Sequence, residues 1–350
     1  MRFFTSLGIS LLFSIVPILY ALQCPIRTQY ERIIQWNLAR ASIGMNMTQF
    51  NEKTAHRIYT FYNFHSGIAL FNASSRPLAY VNVYKCASNA IRSNIRRQTR
   101  RIRGIESNHA NIFTSMDTFK QVLSKFGAVP LFTFSFVRHP LSHFEAGLRE
   151  YIYRCGTKCA ASHDEAVSAS TLIRVIVDLL SFSSRSEIDI PHVFPMAGAM
   201  STFGIKPTYI GKIENFDENW SELQTMAHLP PHHFNSTIIR HRSTALGTDM
   251  KKSFATLMEM DNYRYLRALC YLLYDDFVCF NYTLPAPCAG IDSTAFQVPR
   301  RGQRAFLQAH GILPVTPTRG TGEDYMRSGY VRMRLKHMKE KRRNATVIAG

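Results

Sequence analysis

Cationic and hydroxyl-bearing side chains follow two segments of this chain that have the composition of buried strands. The first group is Lys85, Ser88 and Asn89, and the second group is Arg138 and Ser142. In both places a polar turn leads from the strand into a helical pattern. Backbone amides at a helix N-terminus bind anions, and phosphate is the commonest of these anions. Two such turns in one chain predict a ligand that carries two separate phosphate groups.

The first turn offers a lysine ahead of a helix N-terminus. The amides of residues 87–90 and the helix dipole suit an anion, and the Lys85 ammonium adds a point charge. A Walker A loop requires G-x-x-x-x-G-K-[ST], whereas this turn has no glycine and its lysine comes first. A kinase or ATPase is therefore a poor interpretation. The ordinary alternative is a strand–helix turn with a solvated lysine.

The second turn places Arg138 directly after a buried apolar strand, where a charge needs a partner. Pro140 suits the first turn of the helix that follows. Arg138 is expected to bind a phosphate with Ser142 nearby, and the alternative is an ion pair with Glu145 or Glu150.

Strands and helices alternate around these turns, as hydrophobic periodicity indicates. Strands are predicted at residues 78–84, 131–137 and 207–212, and helices at residues 116–126, 142–153, 166–182, 217–227 and 254–274. This alternation predicts an α/β fold in which helices flank a central parallel sheet.

Several segments resemble the Golgi carbohydrate sulfotransferases. Residues 83–89 (V-Y-K-C-A-S-N) resemble the loop that binds the 5′-phosphosulfate in that family. Residues 134–147 (F-S-F-V-R-H-P-L-S-H-F-E-A-G) look like its 3′-phosphate motif, which is usually close to F-V-R-x-P-x-x-R-x-x-S-x-Y. The segments 209–215, 192–195 and 270–288 follow in the family's order, so the resemblance covers residues 78–290.

This resemblance implies a P-loop-like sulfotransferase fold and the donor 3′-phosphoadenosine-5′-phosphosulfate, with no metal expected. The 5′ group is expected on the first turn and the 3′ phosphate on the second. The expected donor-binding residues are Lys85, Cys86, Ala87, Ser88, Asn89, Ala90, Arg138 and Ser142.

The resemblance also implies catalytic roles. Transfer is expected in line, with Lys85 stabilising the charge that builds on the bridging oxygen. A base must take the proton of the acceptor hydroxyl. His109 lies between the two motifs, in a position comparable to the catalytic histidine of some relatives, and His192 is the rival candidate.

The chain departs from the family pattern at four positions of the two motifs. A serine, an arginine and a tyrosine of the second motif are replaced by Ala146, His143 and Leu148, and a threonine of the first by Asn89. The missing hydroxyl at Ala146 removes one contact to the 3′ phosphate. These changes keep a second interpretation open, in which the protein is a catalytically silent lumenal glycan-binding protein on the same scaffold.

The N-terminal segment 3–22 holds twenty residues without a charge and follows Arg2. Its length suits a membrane span better than a cleaved signal, although Pro17 and Ala21 leave cleavage open. Five N-x-S/T sequons agree with a secretory route. They are at Asn46, Asn72, Asn235, Asn281 and Asn344. We therefore expect a single-pass type II protein of the Golgi membrane with a lumenal catalytic domain, or a secreted protein if the segment is cleaved.

The expected domain organisation has four parts. A signal-anchor or signal peptide covers residues 1–22, a stem covers 23–75, the catalytic domain covers 76–290, and a basic extension covers 291–350. The seven cysteines suit an oxidising lumen with one or two local disulfides, and their odd number leaves at least one thiol unpaired.

The positive charge is concentrated in two stretches. The net charge is +18, with six arginines in residues 88–103 and eight Lys or Arg residues in 326–343. Nucleic acid is the usual partner of such a balance, but a lumenal address excludes it. The expected partners are an acidic polysaccharide or glycan as acceptor, and a membrane bound through the N-terminal segment.

Overall fold

The computed structural model describes residues 27, 29–45, 67–72, 76–98, 112–113, 116–124, 130–156, 159–181, 192–201, 206–231 and 245–297. Every structural statement below concerns these residues. Residues 1–26 and 298–350, which include the predicted membrane segment and most of the basic extension, lie outside them. In the described part of the chain, no helix is both long enough and apolar enough to cross a membrane.

The core of the fold is a five-stranded mixed sheet with the strand order β3–β1–β2–β4–β5. The strands are β1 (Gly67–Asn72), β2 (Pro77–Asn82), β3 (Ile112–Phe113), β4 (Phe132–Val137) and β5 (Tyr209–Lys212). β2, β4 and β5 run parallel, as predicted. β1 pairs antiparallel with both β2 and β3. The sequence analysis did not predict β1 or β3.

Helices connect the parallel strands. In chain order they are α1 (Gln29–Ser42), α2 (Ser88–Gln98), α3 (Met116–Leu123), α4 (Pro140–Cys155), α5 (His163–Ala166), α6 (Ala169–Leu180), α7 (Met196–Ser201), α8 (Phe216–Met226), α9 (Ala245–Leu272) and α10 (Tyr274–Cys279). The predicted helix at 166–182 is divided, because Ser168 caps a new helix through its side chain. The α/β fold with helices around the sheet is confirmed.

Three apolar clusters cover the sheet and pack the helices together in the described part of the chain, and one of them joins β2 and β4 to α7 and to the end of α10. Another cluster joins α2 and α8 to the sheet through side chains such as Ile91, Phe134 and Trp220. The largest cluster joins α1, α4, α6, α9 and α10. Every residue of β2 and β4 is buried, as expected for parallel strands with both faces covered.

Helix α1 and strand β1 lie in the segment that the sequence analysis assigns to a stem, and both are packed into the domain. Trp36 of α1 is only 1% exposed, and its indole Nε1 donates to the backbone oxygen of Leu180 at 2.9 Å. Arg27 pairs with Asp275 of α10, with 2.9 Å between Nε and Oδ1. The folded domain therefore begins before residue 76, because the apolar faces of α1 and β1 are needed to cover α9 and to pair with β2.

Helix α9 is kinked where Met260, Asp261, Asn262 and Tyr263 leave the helical conformation. Leu257 and Met258 before the kink and Leu269 after it lie on the buried face of the helix. These residues lie within the helix predicted at residues 254–274, which begins earlier, at Ala245, in the structure.

Two local disulfides join Cys155 to Cys159 and Cys270 to Cys288. Cys279 is also disulfide-bonded, whereas Cys86 is a buried free thiol. The prediction of local disulfides and of one unpaired thiol is therefore confirmed.

Candidate active site

The two predicted turns meet at the carboxyl edge of the sheet. β2 and β4 are neighbouring parallel strands, so the turns that follow them leave from the same edge. Arg138 of the second turn lies close enough to Cys86 of the first for its positive charge to act on the Cys86 thiol. Burial raises the pKa of the Cys86 thiol well above its usual value. Cys86 is therefore a neutral packing residue inside the site.

The first turn forms a compact loop without glycine. Lys85 and Ala87 have positive φ angles of 61° and 53°, and Cys86 between them does not. Such a conformation is costly for residues other than glycine and is typical of functional loops. Alternation of this kind directs successive amides into one concavity, which is the geometry of an anion-binding nest.

Helix α2 continues the anion-binding surface. It begins at Ser88, and Ile91 donates its amide to the Ala87 oxygen at 3.0 Å. The amides of residues 88–90 precede that first bond and have no intrahelical acceptor. Arg92 donates to the Asn89 side-chain oxygen and, at 3.1 Å, to the Ser88 backbone oxygen. The Asn89 oxygen is thus occupied, and its amide nitrogen remains a donor in place of the family's threonine hydroxyl.

Lys85 lies beside Glu150 of α4. Its Nζ is 2.9 Å from Oε2 of Glu150, and Oε1 of the same carboxylate accepts from Arg154 Nε at 2.6 Å. Burial alone would raise the pKa of Glu150, but the hydrogen bonds from Lys85 and Arg154 lower it to about 2. Burial also lowers the pKa of Lys85, and Glu150 opposes that shift. The carboxylate is therefore charged, and it neutralises the lysine that would stabilise the leaving group.

Arg138 has no carboxylate partner among the residues that the structure describes. Glu145 lies 4.0 Å from Arg149, and Glu150 is held by Lys85 and Arg154. Neither glutamate makes the ion pair that was the alternative for Arg138. The half-buried guanidinium of Arg138 stays available to an anion.

The start of α4 is held by a carboxylate from the segment 209–215, which follows the family's order. Glu214 accepts from the His139 backbone N–H at 2.6 Å and from the Tyr282 hydroxyl at 2.9 Å. Ser142 is half-buried in the first turn of α4, and Ala146 faces inward at 4% exposure. The chain therefore has a hydroxyl in the first turn of α4, at Ser142, but none at the family's serine position.

His143, which stands at the second arginine of the family motif, is a neutral buried residue. Its Nε2 is 2.9 Å from the backbone oxygen of Tyr84. A carbonyl only accepts, so Nε2 carries the proton and Nδ1 is bare. Burial lowers the pKa of His143 to about 4. This side chain fixes Tyr84 and the donor loop to α4, and it does not supply the positive charge of an arginine.

His192 lies beside the first turn, since its ring contacts Tyr84, the residue before Lys85. Burial lowers its pKa to about 3, and the positive charges of Lys85 and Arg154 add to this shift. Its ring packs edge-on against Tyr84 at 4.9 Å between centroids. Its Nδ1 has no hydrogen-bonding partner within the described part of the chain. A neutral histidine has one unprotonated ring nitrogen and therefore can accept a proton, whereas His109 lies outside the described residues.

Two features that sequence reasoning missed hold His192 in place. A Cβ on Gly147 of α4 would lie 2.1 Å from the His192 oxygen, so only glycine allows this close approach. Asp276 of α10 accepts from the amides of Met196 and Ala197 at 2.9 and 2.7 Å, and so fixes the start of α7. Both lie in motifs that the sequence analysis quoted, but no sequence signal assigned them this role.

The described residues contain no group of three or more His, Cys, Asp or Glu side chains that could hold a metal ion.

Comparison with known proteins gives one result. The model of the sulfotransferase family matches residues 69–283, which is more than half of the chain. The match begins within β1 and includes both turns, His192 and the Asp276 segment. No curated protein and no solved structure matches the chain significantly. The chain belongs to the sulfotransferase family, whose members are enzymes of sulfuryl transfer.

Proposed function

We propose that the protein transfers a sulfuryl group from 3′-phosphoadenosine-5′-phosphosulfate to a hydroxyl of an acidic polysaccharide or glycan. The observation that carries this proposal is the juxtaposition of Lys85, the nest of residues 85–87 and the neutral His192. The family match supports the donor, because sulfotransferases generally use it.

The residues present fit such a donor. The nest and the orphan amides of residues 88–90 supply neutral hydrogen bonds to the 5′ phosphosulfate, and Asn89 adds a side-chain donor. Arg138, which has no carboxylate partner in the described residues, supplies the charge for the 3′ phosphate. The bound donor supplies an activated sulfuryl group. Lys85 then stabilises negative charge on the leaving oxygen, and His192 takes the proton of the acceptor hydroxyl.

The proposed location is the Golgi lumen, with the chain anchored by residues 3–22. Two observations support this proposal. Disulfides persist in oxidising compartments, and the structure contains the Cys155–Cys159 and Cys270–Cys288 pairs. The sequon residue Asn281 is exposed in the structure, so a glycan is sterically possible there.

A second candidate is a glycan-binding protein without catalytic activity on the same scaffold. The inward-facing Ala146 favours it, because one hydroxyl contact to the donor is missing. The two candidates differ in nucleotide binding. A silent protein has no need of the spent nucleotide, adenosine 3′,5′-bisphosphate, whereas the enzyme binds it.

Calorimetry with this nucleotide therefore tests the function. We expect the wild type to bind it, and we expect Arg138→Ala to weaken binding by about 1.5–3 kcal/mol, the worth of a hydrogen bond to a charged group.

Lys85→Ala should abolish transfer from labelled donor to a polysaccharide panel without unfolding the protein, since Lys85 supplies charge at a loop. Lys206→Ala, which changes an exposed lysine before β5, is the control. Absence of nucleotide binding by the wild type would refute the enzyme.

A further inference from the structure

The aromatic ring of Tyr84 joins the first turn to the candidate base. Tyr84 directly precedes Lys85, and its ring packs edge-on against His192, with 4.9 Å between the ring centroids and 71° between the ring planes. The residue is half-buried, so part of it is accessible to solvent. None of the contacts proposed for the donor uses this ring. A side chain in this place can therefore contact the acceptor.

Helix α4 holds the backbone of both residues in this ring contact. The Tyr84 backbone oxygen accepts from His143 Nε2 at 2.9 Å. The His192 backbone oxygen lies so close to Gly147 that a Cβ has no room there. The positive φ of Lys85 fixes the direction of the chain after Tyr84. The Tyr84 ring is thus a pre-positioned surface, and a tyrosine has only two side-chain torsions to fix when a ligand binds.

We propose that Tyr84 binds the sugar residue that receives the sulfuryl group, with the apolar face of the sugar stacked on the aromatic ring; this inference rests on the proposed function. The acceptor hydroxyl must lie within about 2.6–3.2 Å of the base that takes its proton. A pyranose hydroxyl is bonded directly to its sugar ring, so that ring must lie beside His192. Because the Tyr84 ring contacts His192, it borders the space that the sugar occupies.

The chemistry of the two rings suits such a contact. One face of a pyranose carries several C–H groups, and its hydroxyls lie at the rim. The face of an aromatic ring is apolar and is the negative end of a quadrupole, so it attracts the slightly positive C–H groups. The contact also removes apolar surface from water. The Tyr84 hydroxyl extends beyond the ring and can hydrogen-bond a hydroxyl at the rim of the sugar.

This role makes Tyr84 a determinant of acceptor specificity. An acceptor that presents a cyclic sugar at the point of transfer gains the stacking contact, whereas a hydroxyl on a short open chain does not. The acceptor unit that fits the site is therefore a pyranose whose C–H face is turned toward Tyr84 while its reacting hydroxyl points to His192.

The test compares the full-length wild type with Tyr84→Leu and Tyr84→Phe. The acceptor is the acidic polysaccharide that the wild type sulfates best in the transfer panel. We expect Tyr84→Leu to raise the KM for this acceptor about three- to tenfold, the range of an aromatic contact. The kcat and the affinity for the spent nucleotide should stay close to those of the wild type, because the contact binds the acceptor before and during transfer alike. Tyr84→Phe keeps the ring and should restore most of the acceptor affinity.

Tyr263→Leu is the matched control, because it removes an exposed tyrosine ring at the kink of α9, a helix that makes none of the proposed donor contacts. Its acceptor KM should equal that of the wild type. An equal rise of this KM in Tyr263→Leu and Tyr84→Leu would show that the effect is not specific to the site.

Tyr84→Trp gives a binding signal that does not depend on turnover. Trp36 and Trp220, the two tryptophans of the chain, are 1% and 2% exposed, so the indole at position 84 is the one that meets solvent. With the spent nucleotide bound, addition of the polysaccharide should shift the fluorescence emission to shorter wavelength, because the sugar then covers this indole.

Two results overturn the inference. One is an unchanged acceptor KM in Tyr84→Leu, including the case in which kcat alone falls, since that result assigns Tyr84 to the support of His192. The other is an emission of Tyr84→Trp that does not respond to the polysaccharide. A wild type that binds no nucleotide or sulfates no polysaccharide refutes the proposed function and this inference with it, whereas normal nucleotide binding and transfer with an unchanged acceptor KM remove only this inference.

Discussion

At the scale of single residues, the acceptor hydroxyl must lose its proton to a base. In the described site the candidate for this base is His192. Its pKa of about 3 belongs to the protein without donor, in which burial and the nearby cations disfavour protonation. An anionic donor adds negative charge beside the ring and so raises the pKa of His192 toward the working range of a base. His109, which lies between the two motifs, lies outside the described residues, so the choice between the two histidines stays a prediction.

We expect His192→Ala to reduce turnover by about 10²–10⁴, the usual contribution of a general base. Affinity for the spent nucleotide should stay close to that of the wild type, because His192 makes none of the proposed phosphate contacts. The plot of kcat/KM against pH reports the free enzyme. The acid limb of that plot should therefore lie at a pH below about 6.5, the pKa of an ordinary histidine. His109→Ala is the paired variant, and a loss of turnover confined to it would exchange the two roles.

His143 makes stability depend on pH, and the sign follows from its lowered pKa. The unfolded chain binds a proton at about pH 6.5, whereas the folded protein resists protonation down to about pH 4. Protons therefore favour the unfolded state, and stability falls as the pH drops through this window. Asp276 acts in the opposite direction, because burial raises its pKa to about 7.

His143→Gln should remove the histidine part of this dependence. Between pH 7 and pH 5 we expect the free energy of unfolding contributed by His143 to fall by about 1–2 kcal/mol in the wild type. Urea unfolding at the two pH values measures it, and the variant should lose correspondingly less. Equal losses in both proteins would mean that His143 is not held neutral.

At the scale of the elements, the sequence predicted the parallel part of the sheet and both turns. An apolar run followed by a polar turn can be recognised from neighbouring residues alone. The buried strands β2 and β4 are both runs of this kind. β1 and β3 were missed because strand–helix alternation gives no sign of antiparallel partners. β3 has only two residues, and β1 depends on its six residue pairs with β2. The pairing of Lys85 with Glu150 was missed because 65 residues separate them.

The packing of α4 against the His192 turn depends on Gly147. We expect Gly147→Ala to destabilise the fold by about 1–3 kcal/mol, since overpacking of a tight contact costs this much. Turnover should fall further than nucleotide affinity, because the added methyl group displaces His192 and not the donor loop. Thermal unfolding, calorimetry and transfer assays on one preparation separate these effects.

Gly290 provides the control for this substitution. A Cβ there meets nothing within 4 Å, so Gly290→Ala should leave stability and turnover close to those of the wild type. If Gly147→Ala behaves in the same way, α4 and the His192 turn are not held in the close contact described above.

At the scale of the whole molecule, α1 packs into the folded domain, although the stem was predicted to cover residues 23–75. A chain that starts at residue 76 lacks Trp36, β1 and the Arg27–Asp275 pair. Loss of one buried tryptophan costs about 3–5 kcal/mol, and a typical domain has a total stability of about 5–15 kcal/mol. We therefore expect this truncated chain to show no cooperative thermal unfolding. A chain that starts at residue 27 should unfold cooperatively, and equal melting of the two would restore the boundary at residue 76.

The net charge of +18 acts over the whole surface, and six arginines lie in residues 88–103, close to the donor loop in sequence. A cationic surface attracts a polyanion through long-range charge. Salt screens this attraction, with a Debye length of about 8 Å at physiological ionic strength. The apparent affinity for an acidic acceptor should therefore fall steeply as salt rises. Donor binding should fall less, because the contacts that we propose for the nest and Arg138 act at short range. A chain that ends at residue 322 lacks the basic stretch 326–343, and we expect it to retain transfer if the acceptor binds the core domain. Equal sulfation of neutral and anionic oligosaccharides, with the same response to salt, would contradict the acidic acceptor.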